Sequence, residues 1–187
     1  MKKVGIIIIL FISLLAFGMR LIPQERNNDL SPQPETDGYS VEELPNGTYR
    51  CCFYGKDGVP LRSEESARLP HVDVLPSGYI RYTVQAGTGV GTLWGFFFDR
   101  NQETFSESFT AILDQKDNFV ALATAKGIVI RSIFDDSYYK EITHFSQEFA
   151  SAAMPLFDAA FSEKEGVLSV SYYSGADYHI VTEEIKF

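Results

Sequence analysis

The sequence predicts an all-β fold, in the form of an antiparallel meander of about three similar hairpin units. Its 187 residues include 15 Phe and 10 Tyr but only 3 Met, and aromatic rings pack well on the pleated surface of a sheet. Apolar residues make up 45% of the chain, which is enough to build a core for one domain. Glycines also recur between pairs of apolar segments, as is typical of hairpin turns.

The first 20 residues are predicted to be a secretory signal peptide or an N-terminal membrane anchor. Lys2 and Lys3 precede an uncharged apolar run over residues 4–19, and Arg20 follows it. As a helix, this run of 16 residues would be about 24 Å long, slightly less than the roughly 30 Å hydrocarbon core of a bilayer. Cleavage as a signal peptide and retention as a membrane anchor are therefore both compatible with the sequence. In either one, the residues after Arg20 are predicted to be exported to the cell envelope or the extracellular space.

Residues 21–45 are predicted to be a disordered, acidic, proline-rich linker. They contain Pro23, Pro32, Pro34 and Pro45 and show no sustained apolar period. The β domain is accordingly predicted to span residues 46–187.

Three segments within that domain have the pattern of a strand, a glycine turn and a second strand. They are residues 71–84, 119–133 and 157–173, with turn glycines at Gly78, Gly127 and Gly166. The glycines are 49 and 39 positions apart, a spacing found in β-repeat units such as propeller blades. A propeller usually needs four or more blades of four strands, and about 140 residues are too few for that. The alternatives are a sandwich or an open barrel.

A short echo supports the repeat. The sequence FSESF at residues 105–109 returns as FSQEF at residues 145–149, although a Phe-rich chain can produce such a match by chance. The second copy also fits a helix within residues 137–152, because Tyr138, Ile142, Phe145 and Phe149 would share one helical face. Strand and loop are the competing interpretation. The final segment, 178–187, is predicted to be a charged edge strand.

The charge distribution excludes polyanionic partners. The first 20 residues carry three of the 16 basic side chains and no acid, which leaves 13 basic and 25 acidic side chains and a net charge of −12 beyond them. Such a surface repels nucleic acid and anionic lipid headgroups. We therefore expect no nucleic-acid partner, and membrane contact only through the N-terminal segment.

The two cysteines are adjacent in the sequence. Neighbouring side chains on a strand point to opposite faces, so Cys51 and Cys52 are expected to be one buried thiol and one partly exposed thiol. An intermolecular or vicinal disulfide is the alternative in an oxidising compartment. No second cysteine pair or histidine cluster is near, and no metal site is predicted.

No catalytic residue and no cofactor are predicted. The glycine-rich stretch at residues 87–91 precedes a strand-like segment, whereas phosphate loops precede a helix. His71, His144 and His179 are far apart in the sequence and belong to no catalytic motif. Acids near predicted turns are Asp99, Glu103, Glu107, Asp114, Asp117, Asp135, Asp136, Glu163 and Glu165. Most are expected to be solvated, although a close pair could hydrolyse a glycosidic bond and a cluster could bind Ca²⁺.

Aromatic residues form the predicted binding surface. Tyr138, Tyr139, Tyr172 and Tyr173 lie next to predicted turns, where an exposed ring marks an interaction patch, and Trp94 is a ring on which a sugar could stack. We therefore expect a non-enzymatic binding or interaction module of the cell envelope, whose ligand is an unidentified protein or carbohydrate. A carboxylate-dependent hydrolase of the glycosidase type, or a structural accessory protein, would be the alternatives.

Overall fold

The computed structural model describes residues 37–87, 93–150 and 156–187, which form 15 strands in four antiparallel sheets. The all-β prediction is therefore confirmed. The predicted signal or anchor and residues 21–36 of the predicted linker lie outside the described residues. Within the described part of the chain, no helix long and apolar enough to cross a membrane is found.

Each sheet is a meander that the chain completes before it begins the next one. The first contains β1 (Tyr39–Glu43), β2 (Tyr49–Tyr54) and β3 (Pro60–Ser66). The second contains β4 (His71–Val74), β5 (Ile80–Gln85), β6 (Leu93–Asp99) and β7 (Thr104–Phe105), and β8 (Phe109–Thr110) also pairs with β6. The third contains β9 (Ile112–Lys116), β10 (Phe119–Thr124), β11 (Gly127–Ser132) and β12 (Tyr139–Ile142). The fourth contains β13 (Leu156–Phe161), β14 (Val167–Ser174) and β15 (His179–Lys186).

The three predicted hairpins are all present. Strands β4 and β5, β10 and β11, and β13 and β14 pair antiparallel within residues 71–84, 119–133 and 157–173.

A stricter repeat lies in the turns Leu44 to Thr48, Gly55 to Val59 and Leu75 to Tyr79. In each turn, the first N–H donates to the fifth carbonyl and the glycine N–H at position four donates to the first carbonyl. The glycines have φ of +79°, +78° and +84°, as required by a three-residue hairpin loop that ends in the left-handed region. The first sheet therefore shares this turn with the second. Together with the three sheets that contain the predicted hairpins, it brings the number of sheet units to four.

The four sheets pack face to face in chain order through three cores. The first core joins sheets one and two and includes Cys51, Phe53, Tyr82, Phe96 and Phe98. The second core joins sheets two and three and includes Phe97, Phe109, Val120 and Ile133. The third core joins sheets three and four and includes Ala121, Ile130, Leu168, Val170 and Tyr172. Inner sheets are covered on both faces, which explains why their strands are apolar at most positions. Neither a closed barrel nor a closed propeller is detected among the described residues, and the stacking is consistent with a sandwich.

The helix predicted near residues 137–152 is wrong over the described residues 137–150. Residues 139–142 form β12, which pairs with β11 from Ile128↔Ile142 to Arg131↔Tyr139. Phe145 and Phe149 lie in the following loop, where both rings pack on Tyr172 without a helix. Apolar residues four positions apart can reach the same core from a helix or from a loop, so their spacing could not distinguish the two conformations. Residues 151 and 152 lie outside the described part.

The strand β1 lies within the predicted linker. Tyr39 pairs with Phe53 across β2, and both Tyr39 and Val41 pack against the first core. The alternating apolar residues of this strand gain burial by pairing, so the folded domain begins before residue 46.

The two copies of the echo occupy related but unequal positions. Both lie in the chain between the main strands of one sheet and the first strand of the next. Phe105 packs against the first core and Phe109 belongs to the second, whereas Phe145 and Phe149 both pack against the third. The match is therefore one of chain position and not of packing.

Both cysteines are free and buried. Cys51 belongs to the first core, and Cys52 lies within 3.6 Å of the Ser63 hydroxyl. The expectation that one thiol would be partly exposed is wrong, because β2 is the central strand of its sheet and is covered on both sides.

Candidate ligand-binding site

The five predicted binding residues do not form one surface patch. Trp94 packs against the first core, with its ring 5.9 Å from the Tyr82 ring, whereas Tyr138 packs against the third core. Tyr172 has 0% of its surface exposed, so it offers nothing to a ligand at the surface. Tyr173, next to it on β14, is half-buried. Tyr139 is 64% exposed on β12.

Tyr138 leads to a cluster of four half-buried aromatic rings at one end of sheets three and four. Its ring lies 5.3 Å from the Phe119 ring and 6.5 Å from the Phe187 ring. Phe187 in turn lies 5.6 Å from Phe161. These contacts are edge-on, the geometry that the quadrupoles of aromatic rings favour.

A cavity of about 300 Å³ opens beside this cluster, between the β9–β10 turn and the β13–β14 turn. We call it the Phe187 cavity. Its apolar lining comes from Phe119, Phe161, Val167 and Phe187. Its charged lining comes from two lysines and three acids, namely Lys116, Lys164, Asp117, Glu163 and Glu165. A concave apolar surface with a few polar groups is the usual form of a small ligand site.

Hydrogen bonds hold the two walls of this cavity in place. The Phe161 N–H donates to Asp114 Oδ2 at 2.7 Å, and Lys116 Nζ donates to the Ser162 carbonyl at 2.7 Å. The Phe187 N–H donates to the Gly166 carbonyl at 2.9 Å. The first two bonds connect β9 of the third sheet to the end of β13 in the fourth, so the cavity is built before any ligand arrives.

Sequence reasoning missed Phe119, Phe161 and Phe187. Phe119 is the first residue of β10, Phe161 is the last of β13, and Phe187 directly follows β15. Each therefore lies at a strand end, which is the criterion that selected the tyrosines. Applied to phenylalanine as well, the same criterion would have found them.

Three of the acids singled out from the sequence, Asp99, Glu103 and Asp114, accept hydrogen bonds from backbone N–H groups. Asp99 Oδ1 accepts from the N–H groups of Asn101 and Gln102, and Glu103 Oε1 accepts from the Lys56 N–H. Asp114 holds Phe161, as described above. Asp114 and Asp117 do lie at a hairpin, because β9 and β10 pair from Lys116↔Phe119 onward.

Three further acids line a smaller cavity of about 190 Å³. Arg131 lies between Glu107 and Asp136 there and pairs with both. Hydrogen bonds from Ser137 lower the pKa of Asp135, which is the opposite direction from the one a general acid requires. Arg131 pairs with only two of the three acids, and the third, Asp135, has a lowered pKa, so this cluster is a poor fit to carboxylate-dependent hydrolysis.

The described residues contain no group of three His, Cys, Asp or Glu side chains that could hold a metal ion. His71 is exposed, with Nε2 3.6 Å from Asp73 Oδ1, and His144 is also exposed. His179 lies at the opposite end of β14 from the Phe187 cavity.

Comparison with protein-family models, with curated proteins and with solved structures finds no match to this chain. The function must therefore be inferred from the geometry of the site itself.

Proposed function

We propose that this protein is an exported, non-enzymatic binding module of the cell envelope, and that the Phe187 cavity takes an apolar group of its ligand. The observation that supports this is the cavity itself: Phe119, Phe161 and Phe187 line about 300 Å³ of open space. Protein interiors are normally packed to the density of organic crystals. Aromatic rings that line open space lack such packing partners, and an apolar group of a ligand would supply them.

The size of the cavity limits the guest. Pockets for drug-sized ligands measure about 300–1,000 Å³, and this one is at the lower limit. One aromatic or aliphatic group would fill it, such as a side chain of a protein ligand. Lys116 Nζ donates to the Ser162 carbonyl and Lys164 Nζ pairs with Glu184, so both ammonium groups already have partners. Asp117, Glu163 and Glu165 also line the cavity, which favours a neutral apolar group over one that carries a carboxylate.

Export rests on the sequence of residues 1–20, where two lysines precede the apolar run. The acidic surface supports a ligand that is neither nucleic acid nor another polyanion. A carboxylate-dependent hydrolase has less support, because Arg131 pairs with Glu107 and Asp136, and hydrogen bonds from Ser137 lower the pKa of the third acid at that cavity, Asp135.

The proposal can be tested with N-acetylphenylalaninamide as a neutral probe for an apolar group. Titrated into the ¹⁵N-labelled full-length chain, it should saturably shift the backbone amides of residues 116–119 and 162–167. Replacement of Phe187 by Ala should weaken its binding about tenfold, which corresponds to about 1.4 kcal/mol. Leu69→Ala removes a 65% exposed apolar side chain outside the cavity and is the matched control. Shifts that never saturate, or an equal loss in Leu69→Ala, would contradict the proposal.

A further inference from the structure

A second cavity, of about 460 Å³, lies at the Ser174 end of β14. We call it the His179 cavity. Residues 147–150 line one side of it, and Ser174, Gly175, Ala176 and His179 line the other. The eight residues of β14 place it roughly 23 Å from the Phe187 cavity along the strand, so the two are separate sites.

A chain of four polar side chains runs beside this cavity. Asp177 Oδ1 lies 2.9 Å from His179 Nδ1, and His179 Nε2 lies 3.0 Å from Gln147 Oε1. The Ser174 hydroxyl lies 3.2 Å from the same Gln147 oxygen and 2.7 Å from the Glu148 carbonyl. Gln147 is thus the link between the buried Ser174 and the partly exposed His179.

These four side chains have two complete hydrogen-bonding arrangements. Both imidazole nitrogens face oxygens, so a doubly protonated ring satisfies both by donating to each. With the Gln147 amide rotated by half a turn, its NH₂ group can donate to a neutral His179 Nε2 and to Ser174. Ser174 then donates to the Glu148 carbonyl. The edge of the cavity can therefore present either a donor or an acceptor at Gln147.

The backbone on both sides is fixed. Tyr178 has φ of +54°, a strained value for a non-glycine residue. A Cβ at Gly175 would lie 2.8 Å from Asp177 Oδ1, so glycine is needed for Asp177 to reach His179. On the other side, the Gln147 N–H donates to the buried Tyr172 hydroxyl at 3.1 Å. The polar groups are thus pre-organised, which reduces the entropy lost when a ligand binds.

The chemistry of the cavity points to a hydroxyl-rich ligand. A hydroxyl group both donates and accepts, so it suits either arrangement of Gln147 and His179. Glu148, which lines the cavity, and Asp177, which pairs with His179, carry carboxylates that accept from further hydroxyls. Phe149 also lines the cavity, so aromatic surface is available for the apolar face of a sugar ring.

We propose that the His179 cavity is a binding site for a neutral saccharide. The negative charge of the chain beyond residue 20 disfavours an acidic sugar. Gln147, Glu148, Ser174 and His179 supply hydrogen-bonding groups beside an otherwise apolar lining, a combination that suits the hydroxyls and the apolar face of a sugar ring. The site is independent of the Phe187 cavity, so either proposal can fail alone.

The test is titration of the ¹⁵N-labelled full-length chain with three neutral oligosaccharides, namely maltopentaose, xylopentaose and chitotetraose. At least one should bind saturably and shift the amides of residues 147–150 and 174–179. Gln147→Met keeps the length of the side chain but removes its polar end, and it should weaken binding at least tenfold. Gln102→Met, an exposed glutamine in the second sheet, is the matched control and should leave binding unchanged.

Phe187→Ala should also leave saccharide binding unchanged, which separates this site from the first one. Absence of binding for all three oligosaccharides at millimolar concentration would overturn the proposal. So would unchanged affinity in a Gln147→Met variant that unfolds at the same urea concentration as the parent chain.

Discussion

Replacement of Phe53 by Ala is expected to destabilise the domain more than most single substitutions. Phe53 lies on β2 with 0% of its surface exposed. Its ring makes edge-on contacts with four others, at centroid distances of 5.9, 5.3, 6.0 and 5.8 Å to Tyr82, Phe96, Phe98 and Phe105. All four partners belong to the second sheet, so Phe53 is the main aromatic contact from the first sheet to the second.

The structure sets the expected size of this effect. Truncation of a buried Phe to Ala costs about 3–5 kcal/mol, and the cost is highest where the surroundings cannot collapse into the space. Four rigid rings surround this position, so we expect a loss of about 4–5 kcal/mol in the free energy of unfolding. That is a large part of the roughly 5–15 kcal/mol that stabilises a typical domain.

Urea unfolding followed by tryptophan fluorescence measures this loss directly. Trp94 is the single tryptophan of the chain, and its ring lies 6.2 Å from the Phe96 ring in the same core. Phe53→Leu should be destabilised less, because most of the apolar volume remains. Val59→Ala, at a 52% exposed position in the same sheet, should change stability by less than about 0.5 kcal/mol. A loss below about 1 kcal/mol for Phe53→Ala would refute the packing of sheet one on sheet two.

Three further predictions concern backbone space and protonation. Gly127→Ala should lower the free energy of unfolding in urea by more than about 2 kcal/mol, because the φ of Gly127 is +152° and a Cβ would lie 2.0 Å from the Ile142 carbonyl oxygen. An unchanged free energy of unfolding would contradict the β11–β12 pairing. Burial raises the pKa of the Cys51 thiol to about 12. The neutral thiol should therefore contribute its full stabilisation below the unfolded pKa of about 8.5. The free energy of unfolding should then fall by up to about 1.4 kcal/mol per pH unit as the pH rises toward 12. Cys51→Ala should flatten this alkaline decline in the urea midpoint, and an unchanged decline would show that Cys51 is not its source. The hydrogen bond from His179 lowers the pKa of Asp177, so its stabilising effect is present above the unfolded pKa of about 3.9 and is lost as the pH falls through the lower folded value. An NMR titration should show the Asp177 midpoint rising toward 3.9 in His179→Phe, whereas an unchanged midpoint would exclude this contact.

Much of the fold could be predicted because its signals are local. Runs of aromatic and β-branched residues between turn residues specify hairpins, and the three predicted ones formed. The consecutive residues Phe96, Phe97 and Phe98 also had to point to both faces of a strand. All three are buried, because the second sheet lies between the first and the third.

The rest depends on contacts between distant segments. Tyr172 and Tyr173 are adjacent on β14, yet one is fully buried and the other half-buried, since only one face of β14 meets the third sheet. The period-two alternation of Leu168, Val170 and Tyr172 with more polar neighbours predicts this difference, so grouping the two tyrosines in one patch went against the local pattern. By contrast, His179 and Gln147 are 32 positions apart, and only the folding of the 145–149 segment against β14 brings them together. Tyr138 does adjoin the Phe187 cavity, but the role of Tyr139 and the export of the chain stay predictions.

The face-to-face order of the four sheets is the basis of the three cores and of the Phe187 cavity, and a nuclear Overhauser spectrum of the aromatic protons tests it most directly. Three ring pairs each span one interface: Phe53 and Phe96 at 5.3 Å, Tyr79 and Phe134 at 4.9 Å, and Tyr138 and Phe187 at 6.5 Å. We expect cross-peaks for all three pairs. Cross-strand peaks within the hairpins without these inter-sheet peaks would show that the sheets form but do not stack in this order.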